Sequence, residues 1–518
     1  MRPLITTFCG LIAILCVLFL VHKLLRFGHR DKRLPPGPPT IPILGNAHLI
    51  PSHGLHLKFK EWSDKYGNIF SLKIGAGTVI VLSDRRAVHD LIGKRSAIYS
   101  ERPLDNNSEV AFGGENFAFL HATPSWRAQR KVASQYLAPK SIDDKIAPIQ
   151  EAETCQLVHD LLETPDQFFA HIKRVTASIA AIAIFGFRAP TVDSHWTTIN
   201  PTCEPGSYLP IEQFPILKYI PDRWAPSKAR AKHCYRAVTA IWVDARKRVE
   251  KRRQNGDERS SMADRVLSGE VKFDVPLTPT QLSNFFGTLH QGGADTTSSM
   301  VLTHVLYLAK HPLVQHKARL ELDCVCGTER MPTWADFKDL PYINCIIKEG
   351  LRLRPVSPVG VPHRVSRDDW FDGLLIPKDA TIFFPPHALN SPFEDPETYN
   401  PDRFLGRPKL AMDYAGSPDY MNRDHYAYGG GRRICVGIHL AERMQWRIVG
   451  KLLWAFEIKP AVDEETGKSV NLDLDAYVDG FLMQPAPYKV RFTPRSEKHA
   501  RIIQQDFKNI EDFLKKWE

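Results

Sequence analysis

The feature that most restricts the fold is a long helical pattern in the middle of the chain. It begins at Thr278, an N-cap candidate, with Pro279 at the first helical position and Gln281 placed to complete a capping box. It stops before Pro312. Residues 279–311 would span on the order of 50 Å as a helix. A helix this long and this apolar must cross the centre of a domain, so the sequence predicts a large, mainly helical core.

The middle of this helix is weaker than its ends. It contains the run Gly292-Gly293-Ala294-Asp295-Thr296-Thr297, in which each glycine costs about 1 kcal/mol relative to alanine. An acid inside a buried helix also needs a partner. These residues indicate a functional site, although helix packing through small residues around a paired structural Asp295 is an alternative interpretation.

Composition places the chain among folded globular proteins, because 43% of its residues are hydrophobic and 24% are charged. A length of 518 residues suggests roughly three domains, yet no internal repeat and no flexible Gly/Ser linker divides the chain. The net charge is +10, and 4 of these charges lie in one short segment near the N-terminus. This balance argues against nucleic acid as the main ligand.

That basic segment follows an uncharged stretch from Leu4 to Val21, which is near the lower length for a membrane-spanning helix. No small-x-small cleavage site follows it, so a retained anchor is favoured over a cleaved signal peptide. By the positive-inside rule, the body of the protein is cytosolic. We therefore predict a membrane anchor with its basic flank at 1–33, a stiff proline-rich hinge at 34–39 and one catalytic domain at 40–518.

Nine cysteines are too few and too scattered for a disulfide framework. One of them, Cys435, closes a glycine-rich loop that starts at Tyr428 and precedes an apolar helical pattern at Ile438. Backbone N–H groups of such a loop and the N-terminus of the helix would stabilise a thiolate, which is a soft iron ligand. A buried structural thiol is the alternative.

Two further patterns have ordinary explanations when each is taken alone. Glu349 and Arg352 form an i, i+3 ion pair. Trp126 and Arg130 share one helix face and could form a packing and cation–π pair. The run Pro401-Asp402-Arg403-Phe404 lies between Arg352 and the glycine-rich loop.

In this order and spacing, however, the patterns resemble the cytochrome P450 family from the anchor to beyond residue 490. The resemblance implies that Cys435 is the proximal haem ligand and that Asp295 and Thr296 deliver protons to bound oxygen. It implies a buried network of Glu349, Arg352 and Arg403, and haem propionate contacts by Arg433, Trp126, Arg130 and, in some family members, His363. For His363 a structural role is an equal alternative. Two departures are Tyr428, where the family usually has Phe, and Asp402, where Glu is more common.

The implied fold is mainly helical with a smaller β-rich region, preceded by an N-terminal transmembrane helix. The implied cofactor is haem b (iron protoporphyrin IX), whose thiolate ligand favours cleavage of the O–O bond of dioxygen. Because the chain has no G-x-G-x-x-G fingerprint before a helix, electrons must come from a partner. The resemblance names NADPH-cytochrome P450 reductase at the endoplasmic reticulum membrane as that partner.

The expected activity is insertion of one atom of O2 into a small apolar or phenolic substrate. The segments expected to line the pocket are residues 107–117, 289–293 and 356–361, which are mostly apolar. The C-terminal half, including residues 411–420, looks most like fungal secondary-metabolism members. Two alternatives remain, a peroxide-rearranging isomerase and a haem sensor without turnover.

Three peripheral segments carry weaker predictions. The run from Ile69 to Leu82 is typical of a β-hairpin. The turn-rich tract at 190–210 indicates a surface loop near the substrate entrance. The basic C-terminal tail, which includes Lys498 and Lys516, predicts a solvated helical extension.

Overall fold

The chain is mainly helical, as its sequence predicts. The computed structural model describes residues 12, 14–19, 21, 26–103, 109–111, 113–198, 213–478, 480 and 482–518. Within this part the helices of at least 12 residues are α1 (Leu55–Tyr66), α2 (Pro124–Tyr136), α3 (Ala147–Glu163), α4 (Phe168–Phe185), α5 (Pro226–Gln254), α6 (Pro279–Lys310), α7 (Pro312–Val325), α8 (Pro341–Leu353), α9 (Ile438–Ala455) and α10 (Glu497–Lys515). Shorter α-helical segments are Arg85–Ala87, Ser96–Tyr99, Pro139–Ser141, His195–Thr198, Met262–Leu267, Pro386–Leu389 and Ala411–Ala415.

Strands within the same residues form small sheets. They are β1 (Ile69–Ile74), β2 (Gly77–Leu82), β3 (His363–Arg364), β4 (Asp369–Phe371), β5 (Leu374–Ile376), β6 (Thr381–Phe383), β7 (Phe456–Pro460), β8 (Tyr477–Val478), β9 (Gln484–Pro485) and β10 (Val490–Pro494). The largest sheet has the order β1-β2-β6-β3. Its β1 and β2 are antiparallel with Ile69 opposite Leu82, which confirms the predicted hairpin. Strand β3 pairs with β6, so this sheet fixes the backbone position of His363.

The central helix α6 begins where the sequence predicts. The Thr278 hydroxyl accepts a hydrogen bond from the Gln281 backbone N–H at 3.2 Å, and the Gln281 carboxamide accepts one from the Thr278 N–H at 3.0 Å. This reciprocal pair satisfies two N–H groups that the helix itself leaves open. The segment from Gly292 to Thr297 stays helical without a break.

Helix α6 is buried because other helices surround it. Its C-terminal half carries Met300, Leu302 and Val305 into a hydrophobic core shared with α3, α4, α8 and α9. Helix α9 follows the cysteine loop directly and packs on α6. The contact between the two helices therefore fixes the position of the cysteine loop relative to α6.

The predicted membrane anchor lies largely outside the described residues. Residues 14–19 are helical, and their apolar side chains are exposed. In the part of the chain that the structure covers, the segment Pro165–Phe185 is long and apolar enough to cross a membrane, but 83% of its apolar 18-residue window is buried inside the protein. It belongs to the core.

The proline-rich segment at 34–39 is hydrogen-bonded to the body. The Ser71 N–H donates to the Pro36 carbonyl at 2.7 Å. The Asn46 carboxamide donates to the carbonyls of Pro38 and Pro39 at 3.1 and 2.8 Å. Both contacts fix this stiff segment along β1.

The C-terminal extension forms helix α10, as predicted, but only its outer face is solvated. His499, Ile503 and Leu514 are buried against the body, and α10 lies mainly on α3. Beyond the helix, the Trp517 carbonyl accepts a hydrogen bond from the Arg188 N–H at 2.8 Å. The tail is therefore docked along its length.

The predicted surface tract at 190–210 is described only up to residue 198, and it contains the short helix His195–Thr198. The rest of the tract lies outside the described residues. Helix α5 begins at Pro226 after turns at Pro215–Tyr219 and Asp222–Trp224.

Candidate active site

The cysteine loop is a tight turn wedged against the helical segment Val88–Lys94. Gly431 starts a single 3₁₀ turn, Gly431–Arg433, with a φ of +61°. A Cβ at Gly431 would lie 2.2 Å from the Ile92 carbonyl oxygen, so only glycine fits there. The Cys435 N–H then donates to the Tyr428 carbonyl at 2.9 Å, which closes the loop.

The Cys435 side chain is surrounded by protein, yet it is accessible to solvent. The thiol therefore borders an open space within the protein. The Gly292 position on α6 behaves in the same way, because a Cβ added there would meet no atom within 4 Å although it lies in the middle of a buried helix. Open space therefore adjoins both the cysteine loop and the weakened turn of α6.

The charge state of Cys435 depends on opposing effects. Burial raises the pKa of the Cys435 thiol, whereas a hydrogen bond from the Gly437 N–H and the positive charge of Arg130 lower it. Arg130 also donates to the carbonyl of Ile434, next to the cysteine. A further cation in contact with sulfur would complete the stabilisation of the thiolate, which suits a bound iron.

Buried cations gather near this loop. The Arg433 guanidinium donates to the carbonyls of Ser100 at 2.9 Å and Leu120 at 2.7 Å. Burial lowers the pKa of Arg433 to about 9; Glu101 offsets part of this effect, and Arg130 adds to it. A cluster of desolvated cations of this kind needs an anionic partner.

Arg102 belongs to the same cluster, although no sequence pattern predicts it. It donates to the carbonyls of Ala118 at 2.9 Å and Pro362 at 2.7 Å. Burial, followed by repulsion from Arg433 and Arg130, lowers the pKa of Arg102 well below its usual value. An isolated arginine before a proline carries no local pattern, so only the tertiary structure reveals it.

His363 and Trp126 complete the surroundings of these arginines. His363 is buried, and its Nδ1 lies 2.7 Å from the Tyr99 carbonyl oxygen. Burial, with help from Arg102 and Arg433, lowers the pKa of His363 well below its ordinary value, so the ring is neutral. The cation that stacks on Trp126 is Arg433, 3.8 Å from the ring centre. Arg130 lies one turn from Trp126 on α2 but donates to the cysteine loop.

These residues fit a haem group. A haem carries two propionate carboxylates, and the arginine cluster supplies buried cations that such carboxylates would neutralise. It also needs open space beside a thiolate, which the surroundings of Cys435 and Gly292 provide. The donor set, one cysteine with cations beside it, matches haem ligation by a thiolate.

The turn of α6 that contains Gly292 also carries Asp295 and Thr296. The Thr296 hydroxyl donates to the Gly292 carbonyl at 2.7 Å. The Asp295 carbonyl accepts hydrogen bonds from the hydroxyls of Ser298 at 3.0 Å and Ser299 at 2.8 Å. Side-chain hydroxyls therefore engage backbone carbonyls throughout this turn.

The structure brings Glu349, Arg352 and Arg403 together in one buried network. The Arg352 guanidinium donates to both Glu349 carboxylate oxygens, at 2.7 and 2.9 Å. Arg403 donates to Glu349 at 3.1 Å, and the Asn400 N–H does so at 2.8 Å. The network ties α8 to the turn Pro401–Phe404. Asp402 does not take part, because it pairs with Lys317 and accepts from the Tyr342 hydroxyl.

The segments predicted to line a substrate pocket are only partly described. Of residues 107–117, positions 107, 108 and 112 lie outside the described residues. In the remainder, the Glu115 carboxylate accepts a hydrogen bond from the Asn284 carboxamide of α6 at 2.6 Å, and Phe117 packs edge-on against Phe285. Residues 289–293 lie on α6 and include the exposed position Gly292.

Comparison with known proteins agrees with this site. A family model described as Cytochrome P450 matches residues 35–492. Similar curated proteins include cytochrome P450 monooxygenase macC of Penicillium terrestre, 38% identical over 523 residues that cover 96% of each chain. Others are cytochrome P450 monooxygenase yanC of Aspergillus niger, 39% identical with 93% of each chain covered, and patH of Aspergillus clavatus, 38% identical with 95% of each chain covered. The chain therefore belongs to the cytochrome P450 family and is a haem-dependent monooxygenase that uses O2 and a redox partner.

Proposed function

We propose that this chain oxidises a small apolar or phenolic substrate in fungal secondary metabolism, at the endoplasmic reticulum membrane, with electrons from NADPH-cytochrome P450 reductase. The observation that carries the proposal is the Cys435 thiol, which borders open space and lies next to buried arginines. The similar fungal monooxygenases support the same activity.

The geometry of the site supports a set of residues that would hold haem b. Cys435 would bind the iron, and Arg433, Arg130, Trp126 and His363 would surround the propionates, with Arg102 as a further cation. When bound, haem supplies the iron chemistry that activates O2 for insertion into a C–H bond. The buried network of Glu349, Arg352 and Arg403 would keep α8 and its neighbouring turn in place behind the cysteine loop.

Asp295 and Thr296 are the proposed proton-delivery residues. Because the Thr296 hydroxyl proton is already donated to the Gly292 carbonyl, the Thr296 oxygen remains free to accept a hydrogen bond from a water molecule. Asp295, the adjacent acid on α6, would supply protons to that water. We expect Asp295→Asn and Thr296→Ala to keep NADPH consumption but divert it from product to hydrogen peroxide.

A basic surface near the cysteine loop supports an acidic redox partner. Arg432 is exposed in the loop itself, and Arg127 and Lys131 are exposed on α2. Opposite charges on a reductase would steer association, so the electron-transfer rate should fall as ionic strength rises. Charge reversal of Arg127 and Lys131 should weaken this salt dependence.

An exposed apolar surface supports the proposed membrane location. Ile41, Ile43 and Leu44 are exposed, as are Ile216, Tyr219 and Trp224. The hairpin turn joins the two groups, because the Gly75 N–H donates to the Leu44 carbonyl at 3.3 Å and the Ala76 N–H donates to the Gln213 carbonyl at 3.0 Å. Two exposed apolar groups on either side of one hairpin turn, one of them close in sequence to the predicted anchor at 1–33, suit contact with lipid. Deletion of residues 1–33 should therefore weaken membrane binding. Adding Ile216→Asp and Trp224→Asp to this deletion should abolish the membrane binding that remains.

The proposal has a direct test. Membranes that carry the protein should give a strongly red-shifted Soret band in a reduced carbon-monoxide difference spectrum, and Cys435→Ala should lose it. Purified protein with reductase should then consume NADPH and form product with members of a panel of phenols. A red-shifted band without NADPH consumption would favour a haem sensor, and turnover of a peroxide without NADPH would favour an isomerase. A folded wild-type protein without the band would overturn the haem assignment.

A further inference from the structure

Tyr428 is hydrogen-bonded at both ends, and one end is the cysteine loop. Its backbone carbonyl accepts from the Cys435 N–H at 2.9 Å. Its hydroxyl, which the usual phenylalanine would lack, accepts from the Gln445 carboxamide Nε2 on α9 at 3.1 Å. A displacement of the hydroxyl end would therefore be transmitted through the tyrosine to the backbone of Cys435.

The orientation of the Gln445 amide is fixed by its other contacts. Its Nε2 also donates to the Ala441 carbonyl at 3.2 Å, and a carbonyl can only accept. The amide oxygen must then face His304, whose Nε2 lies 3.1 Å away. Burial lowers the pKa of His304 to about 4, so the ring is neutral and its single proton lies on Nε2. The donors run from His304 to Gln445 to Tyr428.

His304 itself is held by a steric contact with a third helix. A Cβ built at Gly350 on α8 would lie 2.5 Å from the His304 Cε1 atom and 2.6 Å from Nδ1. The imidazole occupies the space that any other residue at position 350 would fill. His304 and Gln445 are fully buried, so α6, α8 and α9 together fix the chain of hydrogen bonds.

We propose that Gln445 and His304 are positioning residues for the Cys435 thiolate, and that they act through the Tyr428 hydroxyl. The proposal rests on the proposed function, in which Cys435 binds haem iron. Buried hydrogen-bonded groups around a metal ligand fix its orientation and tune the metal. A less constrained Tyr428 would let the thiolate move, so that the thiolate would donate less electron density to the iron. A thiolate that donates less electron density favours the reduced metal.

A double-mutant cycle tests the route. Gln445→Met keeps the side-chain length but removes all three hydrogen bonds of the Gln445 amide, and Tyr428→Phe removes one oxygen atom. We expect Gln445→Met to raise the ratio of reduced to oxidised protein at a fixed potential about threefold, or about 28 mV for one electron given about 59 mV per tenfold change. In the Tyr428→Phe background, the same Gln445→Met change should cause no further shift.

A matched control separates positioning from general loosening. Gln315 on α7 is as buried as Gln445 and donates to two backbone carbonyls, those of Leu308 and Ile458, each at 2.7 Å. Gln315→Met should lower the thermal midpoint without moving the reduction potential. If Gln445→Met does not fold, His304→Asn replaces it in the cycle. His304→Asn should then shift the reduction potential when Tyr428 is present and cause no further shift in Tyr428→Phe.

The outcomes are distinct. Three results would overturn the positioning role. Gln445→Met could shift the reduction potential equally with Tyr428 and with Tyr428→Phe, or it could shift the potential in neither background. Gln315→Met could also shift the potential as much as Gln445→Met does. Each of these results needs a wild-type protein with the red-shifted carbon-monoxide band. Loss of that band in the wild type would instead contradict the proposed function itself.

Discussion

Replacing Glu349 by glutamine is the sharpest test of the buried network. The Glu349 side chain is 0% exposed, and it compensates two guanidiniums, Arg352 and Arg403, of which 2% and 9% are exposed. Glu349→Gln keeps the size of the side chain but removes the negative charge, and it turns an N–H donor toward at least one arginine. Both cations would then stay buried without a counter-charge.

The expected cost can be bounded from these contacts. Breaking a buried ion pair by removing one partner typically costs about 3–5 kcal/mol. The entropy of unfolding is about 2.1 cal/mol/K per residue, so a chain of 518 residues loses about 1 °C of thermal midpoint for each kcal/mol. We therefore expect Glu349→Gln to lower the midpoint by about 3–5 °C.

The assay is thermal unfolding of the haem-loaded protein, followed by the Soret band and by circular dichroism in parallel. The matched control is Glu61→Gln, since Glu61 pairs with Lys58 at 2.8 Å on an exposed helix face. That pair should contribute less than about 1 kcal/mol. If the two variants shift the midpoint equally, the reasoning that burial makes the Glu349 network strong is refuted.

Three further variants test other parts of the structure. Gly431→Ala should destabilise the cysteine loop and reduce the red-shifted carbon-monoxide band. The control Gly467→Ala should leave the band unchanged, because Gly467 also has a positive φ, +63°, but no atom lies within 4 Å of an added Cβ. Equal loss of the band in both variants would mean that the contact with Ile92 is unimportant. Burial raises the pKa of Glu442 to about 8, above its unfolded value, so wild-type stability should fall by about 2 kcal/mol, relative to Glu442→Gln, as pH rises from 6 to 8. Thermal midpoints at both pH values check this, and a constant gap between the two proteins would contradict it. Ile503→Ala on the buried face of α10 should lower the free energy of unfolding by about 2–5 kcal/mol, while Arg501→Ala on the exposed face should lower it by under about 0.5 kcal/mol. Chemical denaturation measures both values, and similar losses would show that α10 is not docked.

Local patterns predicted the parts of the fold that neighbouring residues determine. Thr278, Pro279 and Gln281 predict the start of α6 because a capping box needs residues only three positions apart. Ile69 to Leu82 predicts the hairpin because strand alternation and a glycine turn lie within one short run. Both elements form as predicted.

Contacts between distant segments could not be read in the same way. The stacking partner of Trp126 is Arg433 rather than Arg130, and Arg102 joins the cationic cluster through the carbonyl of Pro362, 260 residues away. No local spacing encodes such pairings. The family resemblance supplied Cys435, Glu349 and Arg403 as candidates, and their catalytic and structural roles stay predictions until variants are measured.

The partners of Arg188 have a consequence for biogenesis. The Arg188 guanidinium donates to the carboxylate of Glu518 at 2.9 Å, across 330 residues of chain. At about 5–20 residues per second, translation of that interval takes roughly 15–65 s. During this time the core around α3 and α4 lacks α10, although a membrane anchor at the N-terminus would already have left the ribosome. Nascent chains should therefore depend on chaperones until α10 has been synthesised, and a chain truncated before α10 should be degraded rather than merely less active.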